Sequence, residues 1–522
     1  MFQSTTIFNT ADKVQVDTHP KKLELIENLL LAFHEANILY CHWKSNEHLG
    51  ASMTGDTDLD ILFDDNDKDK LVQILDNLDF KLFKSVPQKQ YKDIEDFIGL
   101  DLPTGRIVHL HAHFKLTLGE TFLKSYQPDF VDVILTSRIY VQQYGIYCIA
   151  PAFEYILLFV RQALKMRNRD ILKIHFNNDV QYTGNLLNEY NWLKTKCSDE
   201  QVQKALEMLF KNNQQIYQVI TGGFNPKQVL KLSYIIREEL KANRRYSPIN
   251  ALLTRWYREV NLLMLAKFQK WFSIPVIKRR INPRGGLCIA LIGADGSGKS
   301  TIIKHLCQTF EKKIDVYQIY FGKGSSGKKS NSRKLLLNIR SLLASNRSNS
   351  KKEKVQKANF SNKSALEKSF TKKVYECIEA LLIADEKVKN IAKMKKLTRR
   401  GALVISDRFP QNQVMNINDG PVLQKYSSSS NFLLRSCSKL EAKKYAYAEA
   451  NSPQVVFKLI TDVQTSQFRK PNQTPQEVLK VKIDSFKVIR FDQTSKIIDV
   501  DARMPLDTVL YTVKKEIWKA MP

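Results

Sequence analysis

The chain has 522 residues, more than one hydrophobic core can organise, so two or three domains are expected. Hydrophobic residues make up 43% and charged residues 26%, an ordinary globular balance that excludes fibrous and low-complexity classes. With 81 Lys and Arg against 53 Asp and Glu, the formal net charge is +28, which points to polyanionic partners.

The first fifteen residues have no basic start followed by an apolar core, and no apolar run approaches the roughly 20 residues that span a bilayer. The seven cysteines are scattered and form no CxxC pair, which fits a reducing compartment and argues against a structural zinc site. The expected location is cytoplasmic, with peripheral contact to a membrane left open.

Residues 22 to 40 read as a helix. "TDLDILF" and "RIVHLHAHFKL" read as strands, with a helical "DKLVQILDNLDF" between them, so an α+β domain is expected over about 20–145. On a strand, Asp58 and Asp60 point to the same side of the sheet, where they could share a divalent metal. This pair in "GDTDLDILF" resembles the Dh[DE]h motif of the nucleotidyltransferase fold. The resemblance covers about 35–120 and implies a metal that carries a nucleoside triphosphate. Where that fold has its third carboxylate strand, this chain carries His109, His111 and His113, which alternate onto one face and could meet metal or phosphate. Asp101 is the alternative third acid.

From "PAFEYILLFVRQALK" onward the pattern is helical to about 270, with Pro151 suited to a helix start, so a helical region and linker is expected over 146–280. The stretch at 255–280 interleaves Trp256, Leu262, Leu263, Leu265, Phe268, Trp271 and Phe272 with cations. It reads either as a helix lying on an anionic membrane or as one packed between domains with its lysines reaching water. "RRINPRGG", 279–286, reads as a hinge.

The decisive stretch is "LCIALIGADGSGKST", 287–301, an apolar strand followed by GxxxxGKS. Gly293, Gly296 and Gly298 let backbone N–H groups approach phosphates, and Ala294, Asp295, Ser297 and Thr301 complete the ATP-binding loop. Lys299 places a charge by the β- and γ-phosphates, and Ser300 is a ligand for Mg²⁺. Ile302, Leu306 and Phe310 share one face of the helix that follows. "ALVISD" and "QVVFKLI" read as further buried parallel strands. Between 323 and 370 lies a basic insertion whose acids are Glu353 and Glu367. It reads as a solvated loop or a polyanion contact.

"GADGSGKST", "RRGALVISDRFP" and "QVVFKLITDVQTSQFRKP" stand in the order and spacing of thymidylate kinases, which the chain resembles over about 287–520. The resemblance implies an α/β P-loop kinase with a parallel sheet that uses ATP and Mg²⁺. It implies that Lys299, Asp407, Arg408 and Arg469 serve catalysis, with Arg408 and Asp295 facing the acceptor. Where those kinases have a helix arginine, this chain reads "LLIADEKVKN", with Lys387 the nearest cation, and the base-recognising stretch is replaced by the insertion. The acceptor is therefore expected to be a phosphorylated small molecule or glycan precursor rather than thymidylate. The fusion as a whole resembles bacterial proteins associated with surface-polysaccharide synthesis. Nucleic-acid end processing and a nucleotide-gated scaffold remain the alternatives, and a homodimer is admissible.

Overall fold

In a computed structural model, the structure describes residues 21–176, 182, 184–272, 277–322, 361–415, 417–471, 474–491 and 494–522. The architecture is mixed α/β, with two sheets and many helices. The basic insertion lies outside the described residues for 323–360; residues 361–370 open the helix Ser361–Arg399.

The first sheet is mixed. Its strands are β1 (Tyr40–His42), β2 (Leu59–Phe63), β3 (Lys81–Phe83), β4 (Ile94–Asp101), β5 (Arg106–His113), β6 (Ile139–Val141) and β7 (Ile146–Cys148), in spatial order β3-β4-β5-β2-β1-β7-β6. Strands β2 and β5 run parallel, with Asp60 opposite His111 and Leu62 opposite His113. Strand β4 lies antiparallel to β5 and sets Asp96 opposite His111. Helices Glu24–Glu35 and Lys68–Asn77 bury Ile26, Leu29, Phe33, Leu71 and Leu75 in the core that holds Leu59, Ile61 and Phe63. The other face packs Cys41, Trp43 and Leu62 with the helices that follow.

Those helices begin at Pro151–Lys165, where proline occupies the first turn and needs no N–H partner. The last of them, Pro248–Phe272, holds Arg167 through Glu259 and meets Glu120 through Arg255. Its other side is open: Ile249, Leu253, Trp256, Tyr257, Leu263 and Trp271 are exposed, Trp271 at 74%. The packed-between-domains alternative therefore fits one side of this helix and leaves an apolar stripe facing outward.

The second sheet is entirely parallel: β8 (Leu287–Gly293), β9 (Val316–Tyr320), β10 (Leu403–Asp407), β11 (Val455–Ile460) and β12 (Lys496–Asp501), in order β12-β11-β8-β10-β9. A sheet covered on both faces needs strands that are apolar at nearly every position, and all seven residues of β8 are buried. Helices Ser361–Arg399 and Gln476–Val488 cover one face, and Lys299–Phe310 and Leu506–Ala520 the other.

The two sheets share a core. Phe83, Ile98, Leu100 and Ile107 of the first pack with Leu287 and Ile289 of the second and with Phe310 and Trp518 of the helices that cover it. Trp518 stacks on Phe310 and donates its indole N–H to the Asp79 carbonyl at 2.9 Å. The segment expected as a hinge is pinned on both sides. Ile281 bridges Lys84 of the first sheet's edge, Arg280 bridges Ile314, and Asn282 N donates to Gly401 O.

Candidate functional site

Strand β8 is where the second sheet changes direction: β9 and β10 lie to one side of it, β11 and β12 to the other. The crevice at the carboxyl ends of strands at such a reversal is where open α/β sheets take ligands. Here β8 runs into the glycine-rich loop and β10 into Asp407-Arg408, and the register sets Asp407 opposite Leu291.

The loop's glycines have steric reasons. Gly296 and Gly298 sit at φ +84° and +89°, where other residues are strained, and a Cβ on Gly296 would come within 2.5 Å of the Ser466 carbonyl. Gly298 precedes the helix Lys299–Phe310, so the helix's unpaired N–H groups open beside the loop. Lys299 is 7% exposed, and its Nζ donates to the carbonyls of Gly293 and Ala294, both at 2.8 Å. Burial, with Arg408 nearby, pulls the Lys299 ammonium down to about 8.

Asp295, Gly296, Gly298, Lys299, Ser300, Thr301, Asp407 and Arg408 line one cleft of about 270 Å³ together with Tyr320 and Lys470. Of the other loop residues, Gly293 and Ala294 supply the carbonyls that accept from Lys299, and the hydroxyl of buried Ser297 accepts from it at 3.4 Å. Arg408 reaches Asp295 at 3.2 Å and Asp419 at 3.6 Å, and Asp295 also accepts from Lys482 at 2.7 Å. Arg408 holds φ +68°, a left-handed backbone that a bulky residue adopts only when its surroundings enforce it. Burial raises the Asp407 carboxyl against the pull of Lys299 and Arg408, and its buried Oδ1 has no hydrogen-bond partner. That orphaned oxygen belongs to the same cleft as Ser300, and an oxygen donor set of this kind suits a hydrated Mg²⁺.

Arg469, expected to serve catalysis, lies outside the cleft that holds Lys299, Asp407 and Arg408. Lys470 lines the polar cleft, while Arg469 lines a second, mostly apolar cleft of about 200 Å³ with Ile302, Ala502, Met504, Leu506 and Val509. The two clefts meet at Gly298 and Thr301. Lys387 is buried and donates to the Asp419 carbonyl and the Tyr445 hydroxyl, both at 2.9 Å, so it braces the turn that carries Arg408's second partner. Gln411, absent from the sequence reading, ties the same segment by donating to the carbonyls of Val414 and Ile417.

In the first sheet, Asp58 and Asp60 meet different partners. Asp58 Oδ1 lies 2.9 Å from His109 Nδ1 and is paired with Lys313, which belongs to the loop after helix Lys299–Phe310. Asp60 Oδ1 meets His111 Nδ1 at 2.8 Å, His113 Nε2 at 3.6 Å and Lys44 at 3.0 Å. The third acid beside the histidines is Asp96, 2.8 Å from His109 Nε2 and 2.9 Å from Arg280 Nε. Asp101 instead caps the β4–β5 turn, accepting from Thr104 and from Leu25 N. Burial would raise all three site carboxyls, but the histidines with Lys313, Lys44 and Arg280 bring Asp58, Asp60 and Asp96 below the usual range. Burial lowers His111 and His113, keeping both imidazoles neutral.

The Nephrocystin 3 N-terminal family model matches residues 262–392, a span that includes the glycine-rich loop. The chain is similar to two bacterial ATP-binding proteins. To the uncharacterized ATP-binding protein YghR of Escherichia coli K12 it is 27% identical over 235 residues, 44% of this chain and 86% of YghR. To the uncharacterized ATP-binding protein YghS of the same strain it is 27% identical over 247 residues, 46% of this chain and 96% of YghS. Among the described residues, no helix is long and apolar enough to cross a membrane.

Proposed function

We propose that the protein binds ATP·Mg²⁺ at Gly293–Thr301 and transfers the γ-phosphoryl group to a phosphorylated small molecule or glycan precursor, in surface-polysaccharide synthesis. The observation that carries this reading is the meeting of Lys299, Asp407 and Arg408 in one cleft at the carboxyl ends of β8 and β10. ATP binding is supported by the similarity to YghR and YghS. Phosphoryl transfer is supported by the resemblance to thymidylate kinases at Asp407-Arg408.

In this reading the loop N–H groups and Lys299 hold the donor phosphates, replacing the carbonyls that Lys299 now contacts. Ser300 and Asp407 would hold Mg²⁺, which neutralises phosphate charge when bound. Arg408, oriented by Asp295 and Asp419, faces the acceptor phosphate, whose oxygen attacks the γ-phosphorus as ADP leaves. The apolar cleft past Gly298 gives the adenine a place, with Arg469 at its rim. The outward stripe of Trp256, Leu263 and Trp271 favours contact with an anionic membrane.

The test is incubation of the full chain with γ-labelled ATP and a metabolite extract, alongside dTMP, other nucleoside monophosphates and phosphorylated glycan precursors. Label in a phosphorylated glycan precursor or related metabolite supports the reading. Efficient and selective labelling of dTMP would make the protein a thymidylate kinase, and ATP binding without transfer to anything would favour a nucleotide-gated scaffold.

A further inference from the structure

We propose that Asp60, His111 and His113 form a site for one divalent transition-metal ion of the zinc and cobalt class, separate from the Mg²⁺ that accompanies ATP. The three donor atoms already converge. Asp60 Oδ1 and His111 Nδ1 are 2.8 Å apart, His111 Nδ1 and His113 Nε2 3.3 Å, and Asp60 Oδ1 and His113 Nε2 3.6 Å. Two donors at about 2.0–2.1 Å from a tetrahedral ion stand about 3.3 Å from each other, so the triangle is close to one face of such a tetrahedron.

The frame around the triangle is rigid. Asp60 and His111 are register partners on neighbouring parallel strands near the middle of the sheet, and His113 follows His111 on the same face. His113 is 1% exposed, and Trp43 packs edge-on against its ring at 5.1 Å. Two imidazoles and one carboxylate suit borderline transition ions. Mg²⁺ and Ca²⁺ select oxygen donors, so this set departs from the paired-carboxylate site that the resemblance of Asp58 and Asp60 implied. Asp58 is committed elsewhere, to His109 and Lys313.

Two neighbours define what the site would do. Lys44 stands 3.0 Å from Asp60 Oδ1 as a competing cation, and its partly exposed side chain can withdraw when an ion enters. Three protein ligands leave a coordination position for an outside molecule. His111 also lines a cleft of about 490 Å³ whose wall includes Lys68, Lys84, Lys89, Lys92, Lys124 and Arg280 against Asp93, Glu95 and Asp96, with Lys68 paired to Glu95 and Arg280 to Asp96, so cations remain in excess. An oxyanion, such as a phosphate group, is the ligand class that this combination of metal and cations accepts.

The experiment uses the full chain, stripped with a chelator and titrated with Co²⁺ while its visible absorption is followed. The expected result is one Co²⁺ per chain with the intense bands of a low-coordinate ion, displaced by Zn²⁺ and unaffected by a thousand-fold excess of Mg²⁺. Asp60→Asn and His113→Ala should each weaken binding at least ~100-fold, and Asp58→Asn should stay within about threefold of the unaltered chain. ATP binding at the glycine-rich loop reports whether each variant has folded. Absence of saturable Co²⁺ binding would overturn the proposal. So would a pattern in which Asp58→Asn loses as much as Asp60→Asn while His113→Ala loses nothing. If His113→Ala does not fold, X-ray absorption of the Zn²⁺-loaded unaltered chain decides: two imidazole ligands are expected, and a shell of oxygen alone refutes the site.

Discussion

In the cleft at the glycine-rich loop, Lys299 donates to backbone carbonyls and Asp407 keeps an unpartnered oxygen, whereas in the first sheet each of the three carboxylates beside the histidines has its own cation. Asp58 has Lys313, Asp60 has Lys44, and Asp96 has Arg280. In the first region Arg408 is paired with Asp295 and Asp419, but Lys299 and one oxygen of Asp407 hold charge in reserve for something outside the chain. In the second, charge is balanced internally, and two of the three balancing cations come from beyond residue 279. A ligand entering the loop's cleft gains interactions that the protein leaves unmade. One entering the first sheet must first displace a cation.

The largest expected effect lies on the unbalanced side. Lys299→Ala should lower phosphoryl transfer by about 10³-fold, or ~4 kcal/mol of transition-state stabilisation, in a chain that keeps its melting temperature. A folded variant with unimpaired turnover would place the chemistry elsewhere. Close behind comes the shared core. Trp518→Ala should cost about 3–5 kcal/mol, because the residue is 2% exposed and packs between the two sheets. Calorimetry should show the damage in a single transition; two transitions, with only one shifted, would mean that the regions fold independently.

Acceptor choice comes next. With Lys387 buried against Tyr445 where a helix arginine is expected, and the base-recognising stretch replaced by the insertion, dTMP should fall at least ~100-fold below an efficient thymidylate kinase in kcat/KM. Steady-state assays with dTMP decide this. A smaller effect tests the balanced side: Lys313→Met should destabilise by about 1–2 kcal/mol. That is less than for a fully buried pair, because the Asp58 side chain is 31% exposed. Urea titration measures it, and an unchanged midpoint would mean the pair contributes nothing.

Proton concentration should separate the two regions in opposite directions. Asp58, Asp60 and Asp96 titrate lower in the fold than in the unfolded chain. Their contribution is therefore complete above about pH 4 and fades as pH falls through the depressed folded values. His111 and His113 are also depressed, so they withdraw stability earlier, as pH drops below about 6.5 and the unfolded chain takes up protons that the fold refuses. Lys299 answers to base instead: held at about 8, it loses charge as pH rises, and ATP affinity should weaken between pH 7 and 9. Affinity that stays flat over that range, measured calorimetrically, would detach Lys299 from the phosphates.

The loop side was legible in the sequence because its determinants are local. A run of apolar residues, glycines at fixed offsets and a lysine describe β8, the turn and the helix within fifteen positions, and Asp407-Arg408 ends a strand of the same kind. The first sheet was half legible. Alternation placed the three histidines on one face, but the acid that joins them, Asp96, depends on the antiparallel register of β4 with β5. Lys313 lies 255 residues from Asp58, a separation that no periodicity reports. The helix Pro248–Phe272 shows the same limit from another side: its pattern declared an apolar face, and only tertiary packing could say that the face looks outward.

Helix Leu506–Ala520 has a further consequence for how the molecule comes into being. It brings Trp518 to the apolar surface formed by Phe83, Ile98, Leu100 and Ile107. During synthesis, that surface leaves the ribosome some four hundred residues ahead of the indole that covers it. At ordinary elongation speeds of about 5–20 residues per second, a nascent chain therefore waits roughly 20–80 seconds before the indole can close over this patch. That interval is long enough for a chaperone, or a neighbouring polysome, to find the patch before the chain's own tryptophan does.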